Sequence, residues 1–431
     1  MRQTPVSRRT FTKLAGAAGA GALGAGALLT TPTLTGSAQA ATPTWKTSGT
    51  AVTALQSFDD TMKSFMQARN ISAGQLAVTY QGRLVLARGY TYSDDTSLNV
   101  TPTSLFRIAS LSKSLTAAAL NRLAQEGKLA LGDKISRYVD LTPPAGQTAD
   151  PRLANVTLWQ LLQHTGGWDR DLTFDPLFYD RTISQSLGVP MELYPENVVQ
   201  YMNGQPLQHN PGTYVSYSNY GYLLAGRIIE RVSGLPYATY VQQKLLTPLG
   251  ITRMAQGWSI AKHSGEVPYR SQYTGTTVLD DSGATVASPY GTFSMRLHGA
   301  NGAWIASAVD LVRWASAFDA AGPVLDSSAL SRTWAAPGGI GVNPSGWYYG
   351  LGWQVRPVTT GGTGRNTWHT GSLPGTYTLM VRTYHGRSWA VLFNQRDDAS
   401  GLSYGDIDSL LWTAHGKVTS WPTHNLYPNY F

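Results

Sequence analysis

The chain of 431 residues is 42% hydrophobic and only 13% charged, a composition typical of a globular protein with a large buried core. Its formal net charge is +8, and without the four bases of the first 40 residues (33 − 4 = 29 bases against 25 acids) it falls to +4, which gives no case for nucleic-acid binding. The absence of cysteine excludes disulfides, thiolate metal sites, a cysteine nucleophile and a lipidated N-terminal cysteine.

The first 40 residues have the pattern of an export signal. Arg8-Arg9 precedes an apolar stretch from about Leu14 to Leu29, and Ala38-Gln39-Ala40 offers small residues to a signal peptidase. The arginine pair resembles a twin-arginine signal, which exports proteins already folded. A transmembrane anchor is the weaker alternative, because the segment is rich in Gly and Ala and a span needs about 20 apolar residues. We therefore predict removal of residues 1–40, a secreted or extracytoplasmic location and no membrane span in the mature form.

Strand patterns occur near both ends of the mature chain. Residues 73 to 90 alternate as two short strands around Gln81-Gly82-Arg83, which is typical of a hairpin. A second pair, Tyr377 to Tyr384 and Trp389 to Gln395, is rich in β-forming residues and joined by a short turn. A further strand is predicted from Tyr349 to Arg356.

Helix patterns fill the middle of the chain. Leu111 to Gln125 and Tyr222 to Val232 are each followed by a glycine, and the second carries leucine, isoleucine and valine on one face. Thr157 to His164 has threonine as its expected N-cap. Ser307 and Asp310 form a capping box for a helix that runs to Phe318.

Strands at both ends with helices between them predict an α+β fold. One antiparallel sheet would form from both ends of the chain and be flanked by helices, with an inserted, mostly helical lobe. We assign the domain to residues 41–418, with a sheet lobe at about 45–110 and 290–418 and a helical lobe at about 111–289. The aromatic tail at residues 419–431 is expected to pack over the core. A functional site is expected in the cleft between the lobes.

The first motif that carries chemistry is Ser110-Leu111-Ser112-Lys113, at the start of a predicted helix. Residues three apart share a helix face, so Lys113 should lie one turn behind the Ser110 hydroxyl. A serine needs a nearby base to act as a nucleophile, and a lysine can be that base if burial and neighbouring positive charge lower its pKa. Taken alone, the motif also fits a capped helix with an exposed lysine.

Two further motifs follow in the chain. In Tyr217-Ser218-Asn219, a tyrosine near a cation can shuttle protons and an asparagine can hold a substrate amide, although a plain Tyr/Asn turn is common. His369-Thr370-Gly371 precedes the strand at Tyr377. The order of the three motifs makes the set specific.

With these motifs, the sequence resembles the serine β-lactamase and penicillin-binding-protein family, in particular class C β-lactamases, DD-carboxypeptidases and related esterases. Relatives carry Ser-x-x-Lys, Ser-Asp-Asn and Lys-Thr-Gly, and the class C branch has Tyr-x-Asn in second place. The resemblance spans about Gln75 to Gln395, including Phe106 to Ser114 and the run Leu158 to Gly167. It implies a β-lactamase/transpeptidase-like fold and no cofactor.

The resemblance also implies roles for individual residues. Ser110 would attack the carbonyl carbon, while Lys113 and Tyr217 share proton transfer. Asn219 would orient the acyl side chain of the substrate. The remaining substrate-binding residues are His369, Thr370, Gly371 and Ser372. The backbone N–H groups of Ser110 and Ser372 would form the oxyanion hole.

One departure from the family pattern bears on activity. His369 stands where the best-known β-lactamases have lysine, and a neutral imidazole holds a substrate carboxylate less firmly than an ammonium does. This substitution weakens the case for efficient β-lactamase activity. His in this place is a feature of some carboxypeptidases and esterases of the family.

Rival sites are disfavoured by the sequence. Gly401-Leu402-Ser403-Tyr404-Gly405 matches a nucleophile elbow, but an α/β-hydrolase needs an acid, a histidine and further strands after it, and few residues remain. The eight histidines form no His-x-x-x-His pair, so we predict no metal site.

The favoured function is therefore an exported serine hydrolase with a Ser-Lys-Tyr mechanism, a DD-carboxypeptidase-like peptidase or amidase. Its partner would be a small-molecule or peptide substrate with an amide or ester bond. We expect no nucleic-acid partner. An esterase, a β-lactamase or a transacylase of the same family is an alternative. A non-enzymatic penicillin- or peptide-binding protein is another. The oligomeric state is left open.

Overall fold

The fold was analysed in a computed structural model, which describes residues 43–358 and 364–431. The predicted export signal at residues 1–40 lies outside the described residues. Among the described residues, no helix combines the length and the apolar character needed to cross a bilayer.

Strands from both ends of the described chain form one antiparallel sheet. Its strands are β1 (Thr44–Ser48), β2 (Ala73–Tyr80), β3 (Arg83–Ser93), β9 (Tyr348–Tyr349), β10 (Gln354–Pro357), β11 (Arg365–Leu373), β12 (Thr376–Arg382) and β13 (Arg387–Phe393). Their order is β1-β3-β2-β13-β12-β11-β10-β9, and β2 pairs with β13 near the centre, with Ala77 opposite Ala390. The predicted α+β architecture is confirmed. Smaller sheets contain β4 (Phe106–Arg107), β5 (Ala255–Gln256), β6 (Thr274–Thr276), β7 (Thr285–Ala287) and β8 (Trp304–Ala306).

The single strand predicted from Tyr349 to Arg356 is wrong, because the structure has a tight hairpin there. β9 and β10 pair with each other across a turn at Gly352, where φ is +76°. A Cβ atom at Gly352 would come within 2.7 Å of the backbone oxygen of Lys113. The chain therefore bends where it passes close to the helix that carries the candidate base, and only glycine fits that approach.

Helices lie on both faces of the large sheet. The predicted N-cap at Thr157 is present and forms a capping box with Gln160, and the predicted capping box of Ser307 with Asp310 is present. The helices are α1 (Gln56–Ala68), α2 (Ser112–Gln125), α3 (Leu158–Leu162), α4 (Asp180–Leu187), α5 (Pro195–Met202), α6 (Asn219–Ser233), α7 (Tyr237–Val241), α8 (Ala308–Ser316), α9 (Ser327–Thr333) and α10 (Asp406–Gly416).

Among the described residues, two large apolar cores pack against the sheet. The larger joins one face of the sheet to α2, α6 and α8. The smaller lies on the other face, where α1 and α10 cover buried aromatic residues such as Phe58 and Trp389. Within the aromatic tail, the Leu426 N–H donates to the Leu84 backbone oxygen over 2.8 Å, so the tail lies against β3.

Candidate active site

A cleft of about 560 Å³ brings residues of all three motifs together. Lys113 lies buried below it, and Gly371 is packed behind it. The predicted site residues that line the cleft are Ser110, Tyr217, Asn219, His369, Thr370 and Ser372.

Ser110 lies in a 3-10 turn, Ala109–Leu111, just ahead of α2. Ala109 has φ of +47°, a left-handed conformation that is unfavourable for a residue with a Cβ. Hydrogen bonds hold this strained segment, since Thr378 Oγ1 donates to the Ile108 oxygen over 3.0 Å. A side chain at Gly371 would collide with the Ile108 oxygen, so the glycine lets β11 approach the nucleophile segment (residues 108–111, which carry the predicted nucleophile Ser110) closely.

Lys113 is fully buried one turn behind Ser110. Its Nζ lies 3.1 Å from Ser110 Oγ, 2.7 Å from Asn219 Oδ1 and 3.0 Å from the Asn301 backbone oxygen. Burial is the main cause that lowers the pKa of Lys113 well below its usual value; the charge of Asp175 opposes this shift and that of Arg170 adds to it. A neutral amine that donates to the two carbonyl-type oxygens directs its lone pair at the Ser110 hydroxyl.

Tyr217 lies on the turn before α6, and its ring centroid is 4.7 Å from Lys113 Nζ. Burial raises the pKa of Tyr217, while its interaction with the Ser110 hydroxyl and the Arg170 charge oppose the shift. The environment thus shifts the pKa of Lys113 down and that of Tyr217 up. Such a separation favours a base and an acid in one site.

Asn219 is the first residue of α6, and both atoms of its amide are engaged. Its Oδ1 accepts from Lys113, and its Nδ2 donates to Asp175 Oδ2 over 2.6 Å. The amide orientation follows from these partners, because a lysine can only donate and a carboxylate only accept. Its role in holding the acyl group stays a prediction, because a substrate would have to share or displace one of these bonds.

His369 lies within β11 and is buried, with both ring nitrogens occupied. Nε2 lies 2.8 Å from Tyr349 Oη, and Nδ1 lies 2.6 Å from the Thr370 backbone oxygen. Burial and the Lys113 charge lower the pKa of His369 to about 3, so the ring is neutral. Nδ1–H then donates to the carbonyl and Nε2 accepts from the tyrosine, which leaves no free nitrogen for a substrate carboxylate.

Sequence reasoning did not identify three functional candidates that line the cleft, Arg396, His164 and Arg170, nor Asp175, which contacts Asn219 from behind it. Arg396 follows β13 and donates from Nη1 to Ser372 Oγ over 3.3 Å. His164 accepts the Ser218 N–H at Nδ1 over 3.2 Å, and its ring centroid lies 4.3 Å from that of Tyr217. Arg170 and Asp175 lie in the loop between α3 and α4. The cluster Trp168-Asp-Arg-Asp171, directly after the matched run Leu158 to Gly167, was the available signal.

The rival serine lies apart from this cleft. Ser403 is exposed in a loop ahead of α10, and its backbone oxygen accepts from Arg69 Nη2 over 2.7 Å. In the part of the chain that the structure describes, no strand follows this loop. An α/β-hydrolase elbow does not fit that setting.

Comparisons with known sequences give a consistent picture. A family model described as Beta-lactamase matches residues 58–407. The chain is 31% identical over 198 residues to Protein flp of Staphylococcus aureus (strain COL), a match that covers 46% of this chain and 37% of that protein. The chain thus spans little more than a third of the length of the curated relatives it matches.

Solved structures resemble the fold over most of both chains. The octameric penicillin-binding protein homologue from Pyrococcus abyssi is 24% identical with a TM-score of 0.62, covering 85% of this chain and 78% of that one. The D-amino acid amidase from Ochrobactrum anthropi SV3, complexed with L-phenylalanine amide, is 21% identical with a TM-score of 0.63, covering 85% and 97%. At these identities, the likenesses show a shared fold.

Proposed function

Because the chain belongs to the Beta-lactamase family, we propose that it is a serine hydrolase that forms an acyl-enzyme on Ser110. One observation carries the proposal. The buried amine of Lys113 lies 3.1 Å from Ser110 Oγ, and its other two neighbours are hydrogen-bond acceptors. The lone pair of the neutral amine is therefore aimed at the proton that must be removed.

In the proposed acylation, Ser110 Oγ attacks the carbonyl carbon while its proton passes to Lys113 Nζ. The tetrahedral oxyanion is stabilised by the backbone N–H groups of Ser110 and Ser372. Tyr217 donates a proton to the leaving nitrogen or oxygen, and the lysine proton returns to the tyrosine. Attack of water on the ester reverses these proton transfers and frees the serine.

The favoured substrates are D-amino-acid peptides or amides, as for a DD-carboxypeptidase-like peptidase or an amidase. The fold shared with a D-amino acid amidase supports an amide substrate. Efficient β-lactamase action is less favoured, because the His369 nitrogens are already engaged. Arg396 is the cation beside Ser372 that a carboxylate on the leaving group would meet.

The test compares wild type with Ser110→Ala and with Ser403→Ala, a control at the exposed rival serine. Intact mass is measured after brief exposure to benzylpenicillin, and turnover is measured with a D-Ala-D-Ala peptide, D-phenylalanine amide and p-nitrophenyl acetate. We expect an adduct and turnover in wild type and Ser403→Ala, and neither in Ser110→Ala. Wild-type turnover by Ser110→Ala would refute the assignment. Turnover of the amide or ester without a penicillin adduct would select the amidase or the esterase alternative.

We also propose export through the twin-arginine-type signal at residues 1–40. The proposal rests on the arginine pair, the apolar stretch and the small residues at positions 38 to 40. N-terminal sequencing of the protein from the culture medium should begin at Ala41. Secreted protein that still begins with Met1 would refute the cleavage.

A further inference from the structure

Arg170 and Asp175 form an ion pair at the edge of the cleft, in the loop between α3 and α4. Arg170 Nη1 lies 3.3 Å from Asp175 Oδ2, and the Asp175 side chain is 13% exposed. Asp175 also accepts the Leu177 N–H over 3.2 Å, which fixes the carboxylate at the start of a 3-10 turn. The Asp175 charge is therefore held by the local backbone, and the Arg170 charge is held by its ion pair with Asp175.

The pair is linked to both proton-transfer groups, directly to Tyr217 and through Asn219 to Lys113. Asp175 accepts from Asn219 Nδ2 over 2.6 Å, and the other end of that amide accepts from Lys113 over 2.7 Å. Arg170 Cζ lies 4.7 Å from the centroid of the Tyr217 ring, the same distance as Lys113 Nζ. One member of the pair thus reaches the lysine through an amide, and the other faces the tyrosine ring directly.

We propose that Arg170 and Asp175 are positioning residues whose opposed charges set the protonation equilibria of Lys113 and Tyr217, and with them the pH at which Lys113 becomes able to act as the base. The inference rests on the proposed function and names the groups that tune its base and its acid. It assigns no contact with the substrate to either residue.

Arg396 lies on the Ser372 side of the cleft, and the charges that shift the pKa of Lys113 are those of Asp175 and Arg170. Burial lowers the pKa of His164, His298 and His369, so these imidazoles are neutral at physiological pH. Burial also raises the pKa of Tyr222 and Tyr349, which remain uncharged phenols. After burial, the Asp175 charge raises and the Arg170 charge lowers the pKa of Lys113, and both act on Tyr217 in the same directions.

The test is the pH dependence of kcat/KM for p-nitrophenyl acetate, whose acidic limb reports the base in the free enzyme. Arg170→Gln removes a positive charge, so the midpoint of this limb should rise by at least about half a pH unit. Asp175→Asn removes a negative charge but keeps an oxygen that can accept from Asn219, so the midpoint should fall by a similar amount. The double variant should return towards wild type.

Matched controls separate charge from structure. Arg170→Lys keeps the charge and should keep the wild-type midpoint. Arg152→Gln removes an arginine of nearly equal side-chain exposure (38% against 37%) from a different ion pair, with Asp150, and should leave the midpoint unchanged. Midpoints that move in the same direction in the two single variants, or that do not move, would overturn the inference. If one single variant does not fold, the direction of the other decides.

Failure of the proposed function looks different from failure of this inference. Turnover that survives in Ser110→Ala would refute the acyl-enzyme on Ser110 and with it the proposed function. In the other case, turnover depends on Ser110 while Arg170→Gln and Asp175→Asn leave the midpoint of the acidic limb unchanged. That outcome would refute only the role of the ion pair.

Discussion

Gly352→Ala is predicted to damage both stability and activity, through two separable effects. The residue has φ of +76°, and an added Cβ would lie 2.7 Å from the Lys113 oxygen and 2.9 Å from Ala117 Cβ. Ordinary van der Waals contact begins at 3.4 Å, so either the β9–β10 turn or the backbone of α2 must move by 0.7 Å (3.4 − 2.7). The left-handed conformation itself disfavours alanine.

The expected loss in the free energy of unfolding is about 2–5 kcal/mol. About 1–2 kcal/mol comes from placing a Cβ in the left-handed region, and about 1–3 kcal/mol comes from overpacking against the helix. Because the contact falls on the backbone of Lys113, we also expect kcat/KM to fall by roughly 10- to 100-fold, in line with the cost of displacing a catalytic group by about 1 Å.

Urea unfolding and p-nitrophenyl acetate turnover measure the two effects. Gly341→Ala is the matched control, because Gly341 has φ of +69° and a Cβ added there would meet no heavy atom within 4 Å. Gly341→Ala should lose only the unfolding free energy that comes from placing a Cβ in the left-handed region, about 1–2 kcal/mol, and it should keep the wild-type rate. Equal losses in the two variants, or an unchanged rate in Gly352→Ala, would refute the argument from close packing.

Further outcomes are expected from single substitutions elsewhere. Arg396→Gln should raise KM at least about tenfold for a substrate whose leaving group carries a carboxylate, but not for its amide analogue, because Arg396 is the cation beside Ser372; equal changes for both would exclude this contact. Burial raises the pKa of Asp180 to about 7, above an unfolded value near 3.9, so the contribution of Asp180 to stability should be lost as the pH rises from about 4 to about 7. The free energy of unfolding of Asp180→Asn, measured relative to wild type in urea titrations, should therefore rise by up to about 4 kcal/mol over that pH interval. A difference between the two proteins that does not change with pH would contradict this prediction. Thr157→Ala should cost about 1 kcal/mol by removing the cap of α3, with Gln160→Ala, the other half of the box, costing less.

The features that the sequence predicted well depend on local signals. The hairpin of β2 and β3 follows from its turn residues, and the start of α8 follows from a capping box within four residues. The order of the three motifs indicated that their residues act together, and the structure brings residues of all three to one cleft. Local patterns sufficed because each acts within a few residues.

β11 was missed for a physical reason. Its inward positions recur every second residue, as a strand requires, but they are Thr367, His369, Gly371 and Leu373. Three of these four are not large apolar residues, because this part of the strand faces the nucleophile segment and the tyrosine cluster. The apolar alternation that identifies a strand was therefore hidden by the site itself.

The partners of individual side chains could not be predicted either. The contact of Tyr349 with His369 and that of Asp175 with Asn219 join segments that are distant in sequence. No periodicity encodes such pairs, which arise only when the sheet and the helices have packed together. The helices α1 and α10, which pack on each other, were also not predicted. They cover a sheet face that forms only when strands from both ends of the chain have paired.

The sheet that unites both ends of the chain also sets the time at which the protein can begin to work. The ribosome adds about 5–20 residues per second, so roughly 15–60 s separate the synthesis of Ser110 from that of β13. Until then, the nucleophile segment lacks the hydrogen bond from Thr378 and the close contact with Gly371. Under the proposed mechanism, a partly made chain therefore cannot acylate Ser110, and the candidate site matures only when synthesis of its last strands is complete.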